Sequence, residues 1–489
     1  MNRKFKKVIS LALAAVMTCS LASCGSDKGK EEVTTIKWYA YENPSADVDE
    51  VFAKVNEYTK EKIGVVIDYT PITPAEYNEK MKMIFASNEE FDMCFQSSST
   101  DFYTNVENGV LMPLDELLDT TGKATRDLIP EFYYDAATVN GEIYAIPMNK
   151  DVAEQWGFRF SSDIANQCGI TKADIEAVTS LAELEPIFQK VKDTLPNVYP
   201  CLIRGNNHFL KFLPFDNVNG CSVGAFRTDD FDKIINQFET KEVKEYFDLM
   251  RSWYQKGFFR SDAATATNDN DIKAAGNWFA CYVGYLPYSD YYAEGQPVEW
   301  WYALNMNEPH IRTGNIMGSA FAISANSPNP EKTMELINLI NTDEYLRNLI
   351  AYGIEGEHWV SVGDGQYKLP DGFQTKVDTG YESLVYTNGN RFILKTSELK
   401  PADMWDKFKE FNENAVKYDN IGFVFNPENV MTEIVAVENV CTEFLPALAV
   451  GAIDPDENLP KFLEKLEKVG VQTVIDEMQR QYDEWKKNK

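Results

Sequence analysis

The spacing of apolar residues changes along the chain between a period of two and a period near 3.6, and the change predicts the first elements. Val33–Tyr41 is rich in β-branched and aromatic residues and predicts a strand. An apolar stripe from Val48 to Val55 predicts a helix that ends at Gly64. Residues 65–69 and 91–95 predict two more strands with a helix between them. Strands that alternate with helices are typical of an α/β lobe with a largely parallel sheet.

A second clear pattern lies near the middle of the chain. Ala320–Ile323 is a short apolar run that predicts one buried strand. Asn329–Pro330 predicts the cap and first turn of a helix, and the pair Asn341 and Glu344 predicts the start of another. Gly353 suits the C-terminal cap of that second helix. The segment therefore predicts strand, turn, helix and helix in that order.

The remaining segments predict a second lobe and a helical end. Apolar runs at 199–203, 278–283 and 298–304 predict strands, and Ser180 with Glu183 predicts a capping box at the start of a helix. Three amphipathic stretches follow residue 400 and predict helices, which begin at Pro401, at Asn426–Pro427 and at Pro460.

Strand ends locate a candidate binding site, because ligands of open α/β sheets collect outside the carboxyl ends of the strands. Tyr39 and Tyr41 end the first predicted strand, and Gln96 and Ser97 follow the third. Aromatic rings beside hydroxyl and amide groups are what a sugar needs, since rings pack on its C–H face and polar groups bond its hydroxyls. Alternation leaves Trp38 open between the core and this site.

Three segments in order resemble one family. These are Ala322-Ile323-Ser324, the S-x-N-P-E-K run at 327–332 and the G-I-E-G-x-H-aromatic run at 353–359. They resemble the family 1 extracellular solute-binding proteins, the lipid-anchored receptors of bacterial ABC importers, in a branch with an additional C-terminal domain of undefined function. The G-x-x-Y-x-I-P segment at 141–147 resembles the point where that family's chain first leaves its N-terminal lobe.

The resemblance implies an α/β, two-lobed fold like the type II periplasmic binding proteins, with hinge crossings at an interlobe cleft and a helical C-terminal region. It implies an N-terminal lobe of residues 33–148 plus about 320–395, and a C-terminal lobe of 149–319 plus about 396–489. Trp156 would then face the cleft, as would Tyr285 at the end of a second-lobe strand. Trp278, Trp300 and Trp301 stay open between core and cleft.

The N-terminus predicts export and a lipid anchor. A basic start, an apolar run and the sequence Leu21-Ala22-Ser23-Cys24 resemble a lipoprotein signal that is cleaved before Cys24, which would carry the lipid. The alternative is a plain secretory signal in residues 1–23. Residues 24–32 predict a flexible tether. Removing 1–23 takes away four basic residues and lowers the net charge of −29 to −33, so nucleic-acid binding is not expected.

Other chemistry has weak support. Gly220–Gly224 matches G-x-S-x-G around Ser222, but no helical stripe follows it, so we expect a loop rather than a nucleophile. Asn268–Asp271 could bind calcium but lacks features of an EF-hand loop, so a helix cap is the preferred interpretation. The chain has three histidines without metal-ligand spacing, and neither a metal nor a cofactor is expected.

Cysteine usage leaves one question open. Six cysteines follow Cys24, and several lie in apolar runs where buried free thiols are the preferred interpretation, although export usually favours disulfides. The sequence as a whole predicts a monomeric, non-enzymatic receptor for an oligosaccharide, held at the bilayer by Cys24 and serving ABC importer membrane subunits. The alternatives are the same receptor for a ligand such as a peptide, or a surface glycosidase or esterase.

Overall fold

The first lobe is built on a mixed sheet. A computed structural model of the chain describes residues 33–289 and 299–489. Within it, five strands lie side by side in the order Val65–Ile72, Thr34–Tyr41, Met93–Gln96, Ala320–Ile323 and Ile146–Pro147. The first three run parallel, as predicted, while Ala320–Ile323 is antiparallel to both of its neighbours. A strand from late in the chain therefore completes the sheet of the first lobe.

The helices of this lobe cover its sheet with their apolar sides. They are Val48–Ile63, Tyr77–Ser87, Phe102–Glu107, Asp115–Asp119, Lys123–Leu128, Glu131–Asp135, Pro330–Thr342 and Glu344–Tyr352. Gly64 ends the first of them in the left-handed conformation, as its position predicts. The predicted start at Asn341 and Glu344 is wrong. Asp343 caps that helix instead, since its carboxylate accepts a hydrogen bond of 2.8 Å from the Leu346 N–H.

The second lobe carries a four-stranded and a three-stranded sheet. The first has the order Trp300–Ala303, Gln155–Ser161, Trp278–Tyr285 and Tyr199–Leu202, with one parallel pair, and the second has Asp230–Asn236, Gly224–Arg227 and Phe215–Asn217. Short ribbons complete the strands: Thr138–Val139 with Glu142–Ile143, His310–Ile311 with Val416–Lys417, and Val360–Gly363 with Gln366–Lys368 and Thr396–Ser397.

The remaining helices of the described chain include a long C-terminal group. They are Ser162–Gln167, Lys172–Glu176, Leu184–Thr194, Lys241–Gln255, Asn270–Ala275, Thr313–Ile316, Met404–Asn414, Met431–Ala449, Pro455–Lys468 and Val471–Asn488. The predicted start at Pro460 is wrong, because Asp454 caps a helix that begins at Pro455 and contains Pro460. The Ser180 capping box is also wrong, since Glu183 accepts its bonds from Thr179.

The C-terminal helices are part of the second lobe's core. Val437, Leu448, Phe462 and Met478 are buried in the same cluster as the strand residues Phe158 and Phe279 and others of that lobe. At one close approach a Cβ on Gly451 would lie 2.2 Å from the carbonyl oxygen of Met250. The helix Met404–Asn414 packs elsewhere, in a smaller cluster with Tyr352 and Trp359. The division of the chain at about 396 remains a prediction.

Three crossings join the lobes and are hydrogen-bonded to one another. The Glu154 N–H donates to the carbonyl of His310 and the His310 N–H donates to that of Glu154, both at 2.9 Å. The third crossing adds to this ribbon, because the Val416 N–H donates to Pro309 (2.8 Å) and the Tyr418 N–H donates to Ile311 (3.2 Å). The two-lobed fold with repeated crossings is as predicted.

The G-I-E-G-x-H-W segment that carries the family resemblance forms a tight turn after a helix. The Ile354 N–H donates to Nδ1 of His358, and Nε1 of Trp359 donates to the carbonyl of Gly353, both at 2.9 Å. Gly353 has a φ of +79°, and a Cβ there would lie 2.7 Å from His358 Nδ1. Only glycine fits this position, so these residues hold the turn rather than a ligand.

Six cysteines in the described part of the chain are buried free thiols, as preferred from the sequence. Burial raises the pKa of Cys94 to about 12. The signal, the tether and Cys24 lie outside the described residues. Over residues 33–289 and 299–489 there is no helix with both the length and the apolarity to cross a bilayer.

Gly353→Ala should destabilise the protein by roughly 2–4 kcal/mol, because it combines a strained backbone with a clash against His358. Gly356→Ala is the matched control, since Gly356 also has positive φ (+90°) but nothing within 4 Å of its added Cβ. Urea unfolding of both variants measures the difference. Equal losses of stability would show that the contact with His358 contributes nothing.

Candidate functional site

Gln96 and Ser97 lie at the strand end, as predicted, but they are buried there. Gln96 is 1% exposed, and its Oε1 accepts a hydrogen bond of 3.1 Å from Asn105 Nδ2. Ser97 is 2% exposed and its hydroxyl caps the short turn that follows, accepting from the Ser99 N–H. Both side chains therefore shape the strand-end loop, and their contact with a ligand remains a prediction.

Tyr39 and Tyr41 differ although they lie on the same face of one strand. Tyr39 is packed against Phe91 in the lobe core, and its hydroxyl donates to a Glu89 carboxylate oxygen at 2.7 Å. Tyr41 is half-buried and stacks on Phe95 with ring centroids 4.7 Å apart. Trp38 is a core residue as well. The ring of Tyr39 faces the lobe interior and its hydroxyl is bonded to Glu89, and its contact with a ligand remains a prediction.

The loop 383–391 brings a residue that the sequence analysis missed. Tyr386 is exposed at the surface. The pKa of its phenol is raised first by partial burial and then by the neighbouring Tyr41 and Glu42, which places the phenol near the end of the first strand. Glu42 holds the loop there, because its carboxylate accepts a hydrogen bond of 2.7 Å from the Leu384 N–H. More than 300 residues separate Glu42 from Leu384 in the sequence. The loop has no hydrophobic periodicity from which this contact could have been predicted.

The first crossing carries a half-buried cation. The Lys150 amine donates one long hydrogen bond, 3.4 Å, to the carbonyl of Asp151, and burial lowers its pKa. A Cβ on Gly318, in the second crossing, would lie 3.7 Å from the Lys150 Nζ atom. Asn412 fixes the same stretch, because its Oδ1 accepts from the N–H groups of Val152 and Ala153, both at 3.0 Å.

Trp156 and Tyr285 are half-buried, as a ligand contact requires, and lie on paired strands of the second lobe. The Lys211 ammonium lies 3.7 Å from the centre of the Trp156 ring. The Tyr285 ring lies 5.8 Å from that of Tyr302 and 6.4 Å from that of Phe411. Both residues therefore present aromatic surface beside the crossings, and their contact with a ligand remains a prediction.

The three tryptophans that the sequence left undecided between core and cleft belong to two different clusters of this lobe. Trp301 is in the main core, whereas Trp278 and Trp300 stack with centroids 5.0 Å apart in a smaller cluster. The Arg159 guanidinium lies over both rings, 4.8 Å from Trp300 and 5.6 Å from Trp278. Each of the three indoles is at most 8% exposed, so they support the lobe.

Charged residues gather where the crossings meet, and we call Glu154, Asp216, His310, Arg312 and Asn420 the hinge cluster. Arg312 binds Glu154 at 2.5 Å and Asp216 at 3.4 Å, and His310 lies 3.3 Å from Glu154. Asn420 Nδ2 donates to Asp216 at 2.7 Å. The third crossing is thus tied to the second through a buried carboxylate.

The pKa values of the two carboxyl groups in the hinge cluster are shifted in opposite directions. Burial alone would raise the pKa of Glu154, but the hydrogen bond from His310 and the charge of Arg312 lower it to about 2. Burial raises the pKa of Asp216, even though Arg312 and Asn420 act against it. Glu154 therefore keeps its charge in the folded protein at much lower pH than a free glutamate.

Buried polar atoms around this cluster lack partners within the described residues. They are Nε of Arg312, Oδ1 of Asn420 and Nδ2 of Asn307. Asn307 is next to Trp156, because its Oδ1 accepts a hydrogen bond of 3.2 Å from the Trp156 N–H. Unpaired buried donors and acceptors are costly, so the cluster offers hydrogen bonds to a polar ligand beside an aromatic ring.

The two weaker motifs have structural roles in the described part of the chain. The Ser222 hydroxyl and N–H both donate to Glu438, at 2.8 and 2.6 Å, and so tie a turn to the helix Met431–Ala449. Asn268–Asp271 leads into the helix Asn270–Ala275, but the predicted cap is not formed as such: Asp269, at the N-cap position, makes no side-chain cap hydrogen bond, and Oδ1 of Asn268 accepts from the Asn270 N–H. The Arg260 guanidinium binds Asp262 there, at 2.6 and 2.9 Å. No group of three or more metal-ligating side chains occurs in residues 33–289 and 299–489.

Comparison with known proteins identifies the family. The profile described as bacterial extracellular solute-binding protein matches residues 53–354, more than half of the chain. The chain belongs to this family. A domain of unknown function, DUF3502, matches residues 420–487 of the solute-binding protein. The recognition made from the sequence, including the additional C-terminal domain, is confirmed.

Relatives extend over nearly the whole solute-binding protein. A carbohydrate ABC transporter substrate-binding protein of Streptococcus pneumoniae serotype 4 (strain ATCC BAA-334 / TIGR4) is 30% identical over 99% of both chains. The crystal structure of the N-glycan transport solute-binding protein NgtS of Streptococcus pneumoniae has 29% identity and a TM-score of 0.80, covering 93% of this chain and 99% of that one.

The same relative has also been solved with glycans. Its complex with Man1GlcNAc gives a TM-score of 0.68 at 28% identity over 92% of this chain, and that with Man5GlcNAc gives 0.65 at 29% over 93%, each covering 99% of the relative. The three structures of this one relative therefore match the present structure to different degrees.

Glu154→Gln should reduce the acid sensitivity of folding. The folded-state pKa of Glu154 is depressed from 4.5 to about 2, so its contribution is fully present above about pH 5 and is lost as the pH falls toward 2. Between pH 5 and 3 the free energy of unfolding should fall by on the order of 2 kcal/mol less in the variant than in the wild type.

Urea unfolding across this range measures the effect, with Glu50→Gln on an exposed helix position as the control. Identical pH slopes for the wild type and Glu154→Gln would contradict the assignment of a paired, depressed carboxyl group.

Proposed function

We propose that this protein is the lipid-anchored, extracytoplasmic receptor of an ABC importer and that it captures an oligosaccharide at the crossings between its lobes. The observation that carries the proposal is the half-buried Trp156 ring beside buried polar atoms without partners at the hinge cluster. A ring for the C–H face and charge-bearing groups for the hydroxyls form a sugar site. The glycan complexes of NgtS support the ligand class.

Ligand contacts come from both lobes in this proposal. The second lobe contributes Trp156 and Tyr285, and the first contributes Tyr41, with Gln96 and Ser97 shaping its loop. Tyr386, which is exposed, joins the half-buried Tyr41 at the same strand end. Closure of the lobes would bury the sugar and complete a surface for the importer's membrane subunits. The receptor acts as a monomer and performs no chemistry on its ligand.

Two alternatives make different experimental predictions. Calorimetry with Man5GlcNAc, a wider panel of oligosaccharides and a set of peptides separates a sugar receptor from a peptide receptor. Incubation with the same glycans tests the glycosidase alternative, because a hydrolase releases shorter products. Binding to peptides alone, or release of products, would replace the proposal by the corresponding alternative.

Trp156→Ala should weaken oligosaccharide binding about tenfold or more, since a stacked ring contributes roughly 1 kcal/mol beyond its buried area. Phe373→Ala is the control, because Phe373 is a surface ring with 40% exposure. Isothermal titration of both variants with the best glycan of the panel measures the effect. Unchanged affinity in Trp156→Ala would remove this ring from the site.

The anchor is tested at Cys24, which lies outside the described residues. Cys24→Ala should abolish labelling of the protein by a fatty-acid analogue and move it from the detergent phase to the aqueous phase on Triton X-114 partition. Cys94→Ala is the matched control, because Cys94 is a buried thiol of the first lobe. Labelling that persists in Cys24→Ala would favour a plain secretory signal and an anchor elsewhere.

A further inference from the structure

A cavity of about 460 Å³ opens beside the last helix, Val471–Asn488, in the region that matches the domain of unknown function. The turn at 229–232 between two strands of the second lobe forms its other side. Its volume is within the range of small-molecule sites, roughly 300–1,000 Å³. None of the residues named above as contacts of the interlobe ligand lines this cavity.

Aromatic rings form one wall of the cavity. Tyr482 and Trp485 stack on each other, with centroids 5.5 Å apart and planes 23° apart, and Phe231 lines the same space. Trp485 is half-buried, so part of its ring surface remains open to the cavity. The exposed part of the indole, beside the Lys489 ammonium that lies over the same ring, can receive the C–H face of a ring-shaped ligand.

Tyr482 supplies an unused polar group at this wall. The residue is 1% exposed, yet it lines the cavity, and its hydroxyl has no hydrogen-bond partner within the described residues. Burial raises the pKa of this phenol, so it is a protonated donor at neutral pH. The hydroxyl is therefore free to bond water or a ligand hydroxyl in the cavity.

Both signs of charge surround the remaining space. Lys486 pairs with Asp232 at 2.6 Å, and the Lys489 ammonium lies 4.7 Å from the Trp485 ring centre. A cationic ligand would compete with these two ammonium groups, and an anionic one would face four carboxylates, those of Asp229, Asp230, Asp232 and Asp419. Acceptors and donors together suit a neutral ligand with many hydroxyl groups.

We propose that this cavity is a second carbohydrate site, in which one or two neutral sugar units stack on Trp485 and bond the Tyr482 hydroxyl. The site is built by the last helix and the 229–232 turn. It gives the domain of unknown function a binding role in addition to its place in the core of the second lobe.

The test uses the purified protein and the disaccharide Man1GlcNAc, with saturation-transfer NMR to detect binding and isothermal titration to count sites. The wild type should bind two equivalents. Trp485→Ala should remove one of them, and Tyr482→Phe, which keeps the ring and removes the hydroxyl, should weaken that one by roughly tenfold. Tyr345→Phe, at an exposed phenol, is the control and should change nothing.

Comparison with Trp156→Ala separates this proposal from the proposed function. A single equivalent that is lost in Trp156→Ala and unchanged in both cavity variants would overturn the second site and leave the interlobe site intact. A single equivalent that survives Trp156→Ala but is lost in Trp485→Ala would support the cavity alone. Thermal unfolding of Tyr482→Phe shows whether its fold is kept, and unweakened binding in a folded Tyr482→Phe would contradict the role of this hydroxyl.

Discussion

Backbone hydrogen bonds between the three crossings are the constraint on which the rest of this molecule depends. Each lobe has its own buried cluster, so each can move as a body. The ribbon formed by Glu154, His310–Ile311 and Val416–Tyr418 fixes where they can pivot, because its bonds satisfy the backbone of all three connections. Asn412 adds a side-chain clamp to the first crossing. Of the ligand groups proposed above, Trp156 follows the first strand of this ribbon by two residues.

Charged residues at the ribbon connect the crossings through ion pairs and hydrogen bonds. Asp216 is 4% exposed, and it is tolerated because Arg312 and Asn420, from two different crossings, bond its oxygens. Glu154 is satisfied by Arg312 and His310 in the same manner. Removing one partner would leave a buried charge unpaired, so these residues define one geometry of the crossings. The C-terminal region, which begins at Asn420 in the family comparison, therefore contributes to the hinge from its first residue.

Local signals predicted the elements well, whereas long-range contacts decided the site. Gly64 and Gly353 end helices where the sequence places them, because the required backbone conformation is a property of glycine itself. Alternation put Tyr39 and Tyr41 on one face but could not show that Phe91 and Glu89 cover the first of them. Tyr386 reaches the first strand through Glu42, a contact without any local pattern. Trp156 and Tyr285 remain accessible, and what separates them from Trp278 and Trp300 is the packing of other segments on the sheet.

The buried thiols have a practical consequence for observing the lobes in motion. The six cysteines of the described chain are buried, and their sulfur atoms are protonated where burial raises the pKa. If one surface cysteine were introduced on each lobe, a maleimide dye would therefore react with these two new thiols in preference to the six buried native ones. Distance-dependent fluorescence between such dyes could follow opening and closing in the otherwise unaltered sequence.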